Sequence, residues 1–223
     1  MREPGDYYGA LKVLCEREAE RQFPARLLVI RPGNIVGPAE RLGRFTYWVA
    51  RMEQGGEILA AGIPLTQVQL IDVRDLAQWA IRSAEAGRTG TFTATGPAMT
   101  LTWSELLGGI RASLSAPMKL TWVPIPWLLE RNVQPNSSLL FWPSQMGTPG
   151  LTELNVGKAI AAGLTFRPSS ATASDTLTYY RELPVERQLT ALVGFDDKNK
   201  ASNDSIARER ELLADWHAHR RSS

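Results

Sequence analysis

Tyr8 and Lys12 are the first residues along the chain whose types and spacing could do chemistry. A separation of four places both side chains on one side of a helix, one turn apart, so the ammonium group can lie near the phenol. A nearby cation favours the phenolate, which makes a tyrosine a usable acid or base near neutral pH. Spacing alone leaves two interpretations open, a proton-transfer pair and an amphipathic helix that buries a tyrosine and exposes a lysine.

A buried strand and a glycine-containing loop follow this helix. Residues 25–32 form a nearly continuous apolar run, typical of a strand buried on both faces of a parallel sheet. The run ends in RPGNIVGP, and ligands of open α/β sheets bind outside the carboxyl ends of the strands. Gly33 and Gly37 would let the backbone approach a flat ring, and Asn34 offers an amide. A tight connection between strand and helix is the alternative interpretation.

The stretch QLIDVRDLAQWA places two carboxylates where a strand meets a helix. Asp75 lies in the first turn of the predicted helix, where a carboxylate complements the helix dipole, so we expect a structural role for it. Asp72 and Arg74 are weaker candidates for facing a substrate.

Hydrophobic periodicity predicts the element that carries the first pair. The helix begins at Asp6 as N-cap and ends near Phe23, before Pro24. Tyr8 falls on its apolar arc and is expected to point inward, while Lys12 lies at the edge of that arc.

Strands and helices then alternate as far as Pro97, which predicts an α/β fold with a parallel sheet. The expected elements are a helix over 44–54, strands over 57–62 and 66–71, a helix over 72–86 and a strand over 90–97.

After Pro97 the pattern becomes mostly helical. Expected elements are helices over 101–114, 125–133, 155–163 and 170–182, a strand over 119–124, a polar linker over 193–205, and a terminal helix docked by Leu212, Leu213 and Trp216. Thr102 and Glu105 form a capping box at the start of the first of these helices. The predicted divisions are residues 1–97, 98–195 and 196–223.

Three motifs in this order carry a family resemblance: YGALK, RPGNIVGP and IDVRDLA. They resemble the second half of an extended short-chain dehydrogenase/reductase, the NAD-dependent epimerase/dehydratase group. The resemblance covers nearly the whole chain and is firmest over residues 7–97. It implies an NAD(P)-dependent oxidoreductase or epimerase acting on a small hydroxyl or carbonyl substrate, with a nucleotide sugar as one such substrate.

The resemblance also implies roles for individual residues. Tyr8 would be the catalytic acid/base, and Lys12 would favour its phenolate and hydrogen-bond the nicotinamide ribose. Pro32, Gly33, Asn34 and Ile35 would line the cofactor, and the Asn34 side chain would reach toward the substrate. Arg74 is a further candidate for contacting the substrate.

The chain departs from the family in one respect. The family opens with a strand, a G-x-x-G-x-x-G turn and a helix that receive the cofactor pyrophosphate on backbone N–H groups, and the sequence contains no such turn. We therefore expect a partial Rossmann-like sheet lacking its N-terminal glycine-rich unit, impaired binding of NAD or NADP, and an uncovered apolar edge near Tyr8. A non-catalytic binding or regulatory module that keeps the fold is the alternative.

Composition limits the remaining function classes. The 25 basic and 23 acidic residues are spread along the chain, so nucleic acid is not an expected partner. Without a long apolar run a membrane is not expected either, and a single cysteine indicates a reducing compartment such as the cytoplasm. The expected partners are a small-molecule substrate and, as an open alternative, a second copy of the chain. His217 and His219 lack the surroundings of a metal site.

Overall fold

The computed structural model describes residues 7–40, 43–133, 153–191 and 204–222. The strands within these ranges are β1 (Leu28–Pro32), β2 (Asn34–Val36), β3 (Gly56–Ala61), β4 (Gln67–Asp72), β5 (Gly90–Ala94), β6 (Gly96–Thr102) and β7 (Met118–Val123). The helices are α1 (Tyr8–Gln22), α2 (Arg44–Glu53), α3 (Val73–Glu85), α4 (Trp103–Arg111), α5 (Ile125–Leu129), α6 (Gly157–Ala161), α7 (Ser169–Glu182), α8 (Val185–Ala191) and α9 (Asp204–Ser222).

Parallel pairing dominates the sheets, and the expected α/β class with a partial Rossmann-like sheet is confirmed. β1 pairs with β5, β2 with β4, and β3 with β7, all in parallel. β6 is antiparallel to β4, with a register irregularity between Val68 and Leu70. This strand was not predicted, because GPAMTLT contains a proline and no clear alternation of apolar and polar residues.

Two segments of the chain leave one sheet and enter another, side by side. β1 passes through Gly33 into β2, and β5 passes through Thr95 into β6. The Gly33 amide donates to the carbonyl of Ala94 at 3.3 Å, so the two crossings lie side by side. The backbone between β1 and β2 therefore forms the carboxyl edge of the β1–β5 pair.

β1 is less buried than the sequence predicts. Its first three residues are half-buried and its last two are exposed, so the expected burial on both faces is wrong. The reason is structural: among the described residues β1 pairs with β5 alone, and none of the residues of α1 is buried against it.

The main core surrounds α2, whose residues from Phe45 to Met52 are all buried. Trp48 of this helix packs edge-on against Trp103 of α4, with ring centroids 5.1 Å apart. The predicted capping box of α4 is confirmed, since the Glu105 amide donates to Thr102 Oγ1 and the Thr102 amide donates to the Glu105 carboxylate.

The terminal helix α9 docks on this core as predicted. Leu212 and Leu213 are buried and Trp216 packs against them at the edge of the cluster. A buried ion pair that was not predicted joins α9 to α2, with Arg51 Nε 2.6 Å from Glu209 Oε2. Helix α8 was also not predicted.

Two predicted features cannot be compared with the structure. Asp6 and residues 193–203 of the linker predicted over 193–205 lie outside the described residues, whereas the last two residues of that linker begin α9. The predicted division after residue 97 falls inside β6, whose partner β4 lies on the other side of that division. The division into domains stays a prediction.

Candidate functional site

An ion pair ties α1 to the end of β1. Arg31 of β1 donates from Nε and Nη2 to the two carboxylate oxygens of Glu16, at 3.0 and 2.5 Å. Arg31 is the residue before Pro32, the last residue of β1, so this contact lies next to the loop that follows the strand. Tyr8 lies two helical turns from Glu16, roughly 12 Å along α1 toward its start.

Helix geometry relates Tyr8 to the contact between Glu16 and Arg31. A step of four residues rotates a helix by about 40°, so Lys12 lies about 40° and Tyr8 about 80° around α1 from Glu16. Because Glu16 contacts Arg31, Lys12 is turned partly toward β1, whereas Tyr8 points roughly at a right angle to that contact. Tyr8 and Lys12 remain one turn apart on one side of α1.

Tyr8 is nevertheless exposed, which corrects the expectation that it points into a core. Its side chain is 69% exposed, and Leu11 and Leu14 of the same helix are 49% and 56% exposed. The apolar arc exists, but the described residues supply nothing that packs on it. The expected uncovered apolar edge near Tyr8 is therefore present.

The loop over Pro32 to Ile35 lies at the carboxyl end of β1, and Gly33 has a packing reason to be glycine. A Cβ built on Gly33 would meet Thr95 Oγ1 at 2.2 Å and Thr95 Cβ at 2.7 Å. Thr95 is fully buried, so it cannot move aside. The glycine thus permits the close crossing of two strands, in addition to any contact with a ligand.

Asn34 is held by two neighbours. Its amide donates to the backbone oxygen of Gln69 at 3.5 Å, and its side-chain oxygen accepts from Arg44 Nη1 at 2.8 Å. The sequence did not single out Arg44, which places a cation beside a predicted substrate contact. The sequence feature that could have indicated Arg44 is a charged residue shortly after the glycine-containing loop at the end of a strand.

Glu40 explains how Arg44 is placed. This buried carboxylate accepts from the backbone amides of Arg44, Phe45 and Thr46 at 3.0, 2.9 and 3.0 Å. It satisfies the free N–H groups at the start of α2, where Gly43 has no side chain to do so. Burial raises the pKa of Glu40, and the hydrogen bonds from Thr46 and Phe45 oppose that rise.

Asp72 and Arg74 form part of an ion network between α3 and α7. Asp72 caps α3 by accepting from the Arg74 amide at 2.8 Å, and Arg74 Nη2 donates to Asp72 at 2.7 Å. Arg74 Nη1 donates to Asp175 at 2.5 Å. Burial raises the pKa of Asp72, but hydrogen bonds from Arg74 outweigh it and the net pKa is lowered. These contacts hold two helices together, and a substrate contact for Arg74 stays a prediction.

Asp75 makes the structural contacts expected of it. Its two carboxylate oxygens accept from the Arg167 amide and from Arg167 Nε, both at 2.9 Å. The pair fixes the segment before α7 against the first turn of α3.

A groove of about 590 Å³ is lined by Gln69, the residue whose backbone oxygen accepts from Asn34. Its lining includes the amides of Gln67, Gln69 and Asn155 and the apolar side chains of Met99, Leu101 and Ile160. Gln69 makes its wall rigid, because its side chain both donates to and accepts from the backbone of Leu154, at 3.0 and 2.9 Å. Met99 is 82% exposed at the rim. The groove has the mixture of amides and apolar surface that suits a polar organic ligand.

The two histidines have other contacts. His217 Nε2 lies 2.9 Å from Glu57 Oε1, and the His219 ring packs beside Trp216.

Within the described ranges, no helix is long and apolar enough to cross a membrane.

Comparison with known proteins gives matches in structure only. No family model and no curated protein matches the chain. The UDP-N-acetylglucosamine 4-epimerase from Bacillus cereus matches 77% of this chain and 53% of its own, with a TM-score of 0.54 and 13% identity. The dTDP-glucose 4,6-dehydratase from Bacillus anthracis, in complex with NAD, matches 81% and 53%, with a TM-score of 0.54 and 14% identity.

A third match is the Bordetella bronchiseptica enzyme WbmH in complex with NAD⁺, over 71% of this chain and 46% of that one, with a TM-score of 0.51 and 17% identity. Identities this low show the fold alone. The chain spans about half the length of the solved structures it matches. Over that span it has the fold of the extended short-chain dehydrogenases/reductases, as the three sequence motifs predicted.

Proposed function

We propose that this chain supplies the proton-transfer and substrate-facing part of an NAD(P)-dependent oxidoreductase or epimerase. The substrate is a small hydroxyl or carbonyl compound of the nucleotide-sugar class. One observation carries the proposal: the helix that holds Tyr8 and Lys12 is tied through Glu16 to Arg31, next to the carboxyl end of β1 where the loop from Pro32 to Asn34 begins. Carboxyl ends of strands are where open α/β sheets bind their ligands.

The chemistry of the chain's own residues is a proton transfer at one oxygen. The Tyr8 phenolate accepts the proton of a substrate hydroxyl, and the phenol returns it when the carbonyl is reduced. Lys12 lies one helical turn away on the same side of α1. A bound nicotinamide supplies and accepts the hydride.

The described residues fit only the nicotinamide end of such a cofactor. Tyr8 and Lys12 are exposed, so no described side chain fills the space beside them. The backbone of Pro32, Gly33, Asn34 and Ile35 lies at the carboxyl end of β1. The G-x-x-G-x-x-G turn that would receive the pyrophosphate on backbone N–H groups does not occur in the sequence given.

The groove beside Asn34 is the proposed place for the body of the substrate. Amide side chains such as Gln67 and Asn155 can hydrogen-bond hydroxyl groups, and Leu101 and Ile160 offer surface to a base or ring. Two of the matched solved structures are named for nucleotide-sugar substrates, which supports the class.

The alternative is a non-catalytic module that keeps the fold. The exposure of Tyr8 favours it, because an acid/base usually works in a site from which water is excluded. The two functions differ in whether the Tyr8 hydroxyl is needed for turnover.

The test joins a glycine-rich nucleotide-binding half, taken from the Bacillus anthracis dehydratase, ahead of Met1. NAD binding is measured by titration. Turnover of UDP-N-acetylglucosamine and dTDP-glucose is followed by chromatography of the sugar products, since an epimerase or a dehydratase returns the hydride to its substrate, and by NADH absorbance for a net oxidation. Tyr8→Phe is expected to abolish turnover and leave NAD binding unchanged, because only the transferred proton is lost.

Tyr7→Phe is the matched control, since Tyr7 is the preceding residue and is also exposed. Tyr7→Phe should keep full turnover. Equal turnover in the two variants, in a chimera that binds NAD, would remove Tyr8 from the mechanism and favour the non-catalytic module.

A further inference from the structure

We propose that the Glu16–Arg31 ion pair is the positioning element that sets the rotation of α1, and with it the direction in which Tyr8 and Lys12 face. Its catalytic meaning rests on the proposed function. The pair itself is a property of the helix and the strand and can be tested separately.

Apolar packing does not fix the rotation of α1. None of its 15 residues is buried, and large apolar side chains such as Leu11, Val13 and Leu14 are exposed. A helix without a buried face can rotate about its axis at little cost in buried area. Some other contact must therefore define which face meets β1.

The pair with Arg31 supplies that contact. Among the described residues, two hydrogen bonds join a side chain of α1 to a strand. Arg31 donates both of them to Glu16. They are bidentate, with one carboxylate oxygen on Nε and the other on Nη2. A fork of two parallel bonds restrains rotation as well as distance, which a single bond would not do.

The position of Glu16 makes this restraint relevant to the site. Lys12 and Tyr8 lie about 40° and 80° around the helix from Glu16, so the rotation that brings Glu16 to Arg31 also fixes the direction of the other two side chains. The hydrogen bond with Arg31 lowers the pKa of Glu16, and the charges of Arg31 and Lys12 act in the same direction. The carboxylate is thus kept charged between the strand and Lys12.

An exposed ion pair adds little to global stability. Arg31 and Glu16 are 54% and 24% exposed, so the expected effect of breaking the pair is on orientation and not on the unfolding midpoint. This separates a positioning role from a structural one.

The single cysteine of the chain permits a direct test. Cys15 is exposed on α1. A second spin label at Gln78→Cys, exposed on α3, gives a distance from α1 to the body of the protein by pulsed electron paramagnetic resonance. The parent protein should give one narrow distance peak. Glu16→Gln and Arg31→Gln should each lose that peak and give a broad distribution.

Glu18→Gln is the matched control. It removes the same charge from the same helix, but Glu18 pairs with Arg21 inside α1. It should keep the narrow peak, as should the conservative Glu16→Asp and the charge exchange Glu16→Arg with Arg31→Glu. Circular dichroism verifies that α1 remains helical in each variant. A Glu16→Gln distribution identical to that of Glu18→Gln would overturn the proposal.

In the chimera the added half faces the apolar arc of α1, so the distances are measured again there, beside kcat. Glu16→Gln should broaden them, lower kcat by up to about 100-fold and leave NAD binding unchanged, because a misplacement of about 1 Å can have that effect on a catalytic group. If the distances broaden in the chimera and kcat does not change, the positioning role stands and the function proposed for Tyr8 fails. If the distances stay narrow, the positioning proposal fails whatever the activity.

Discussion

Removing the carboxylate of Glu209 should destabilise the protein far more than an ordinary substitution does. The side chains of Arg51 and Glu209 are 6% and 1% exposed. Glu209 also accepts from the Leu59 amide at 3.0 Å, and Arg51 donates to the carbonyls of Gly55 and Glu57 at 3.0 and 2.9 Å. The pair therefore links α9, α2 and β3, with both charged side chains buried.

The magnitude follows from what each variant leaves behind. Glu209→Gln keeps an acceptor for Leu59 but leaves the Arg51 charge buried and unpaired, which costs about 3–5 kcal/mol. Glu209→Leu also removes the acceptor for the Leu59 amide, which adds roughly 1–3 kcal/mol. Typical domains have about 5–15 kcal/mol of stability, so either variant should be visibly weakened.

Urea unfolding followed by tryptophan fluorescence measures these differences, since the chain has seven tryptophans. The double variant Arg51→Met with Glu209→Leu is the control, because it buries no charge. It should be more stable than Glu209→Leu alone. A Glu209→Gln variant within about 0.5 kcal/mol of the parent, or a double variant weaker than the single one, would refute the reasoning.

Three further predictions concern other parts of the chain. Gly33→Ala should lower the free energy of unfolding by about 1–3 kcal/mol, because its Cβ would overlap Thr95, and Thr95→Ala should restore part of the loss in thermal melts. The hydrogen bond from Thr121 lowers the pKa of Glu57, so that bond stabilises the fold above about pH 4.3 and is lost as the pH falls through the lowered value. Thr121→Val should therefore reduce the loss of unfolding free energy that occurs below that pH. An unchanged loss would contradict this role of the hydrogen bond between Thr121 and Glu57. Leu11→Lys should change stability by less than about 0.5 kcal/mol and reduce binding of a hydrophobic dye, whereas a large loss of stability would show that Leu11 is packed in solution.

Local patterns predicted most of the helices and strands because each was supported by its own periodicity. The capping box at Thr102 and the docking of Leu212 are examples, since both depend on residues within a few positions of each other. The burial of α1 could not be predicted in this way. Its apolar arc around Tyr8 is real, but whether an arc is covered depends on what lies opposite it, and the described residues place nothing there.

Contacts between distant residues were the features that the sequence did not reveal. Arg51 and Glu209 are 158 positions apart in the sequence. One local feature nevertheless indicated that Glu209 has a buried partner. Glu209 falls on the same helical face as Leu212 and Leu213, where a charged residue needs a buried partner. For the candidate site, the motifs predicted Tyr8 and Asn34, while the placement of Arg44 beside Asn34 required the fold.

The proposed function requires the nicotinamide end of a dinucleotide to lie beside Tyr8, and it requires no contact of Tyr8 with the adenosine end. Nuclear magnetic resonance of the chain with labelled tyrosine rings tests this directly, because it has only five tyrosines and Tyr8→Phe assigns the relevant signal. Millimolar nicotinamide mononucleotide should shift the Tyr8 signal, and adenosine monophosphate at the same concentration should not. A Tyr8 signal that neither nucleotide moves, or that both move equally, would contradict the account.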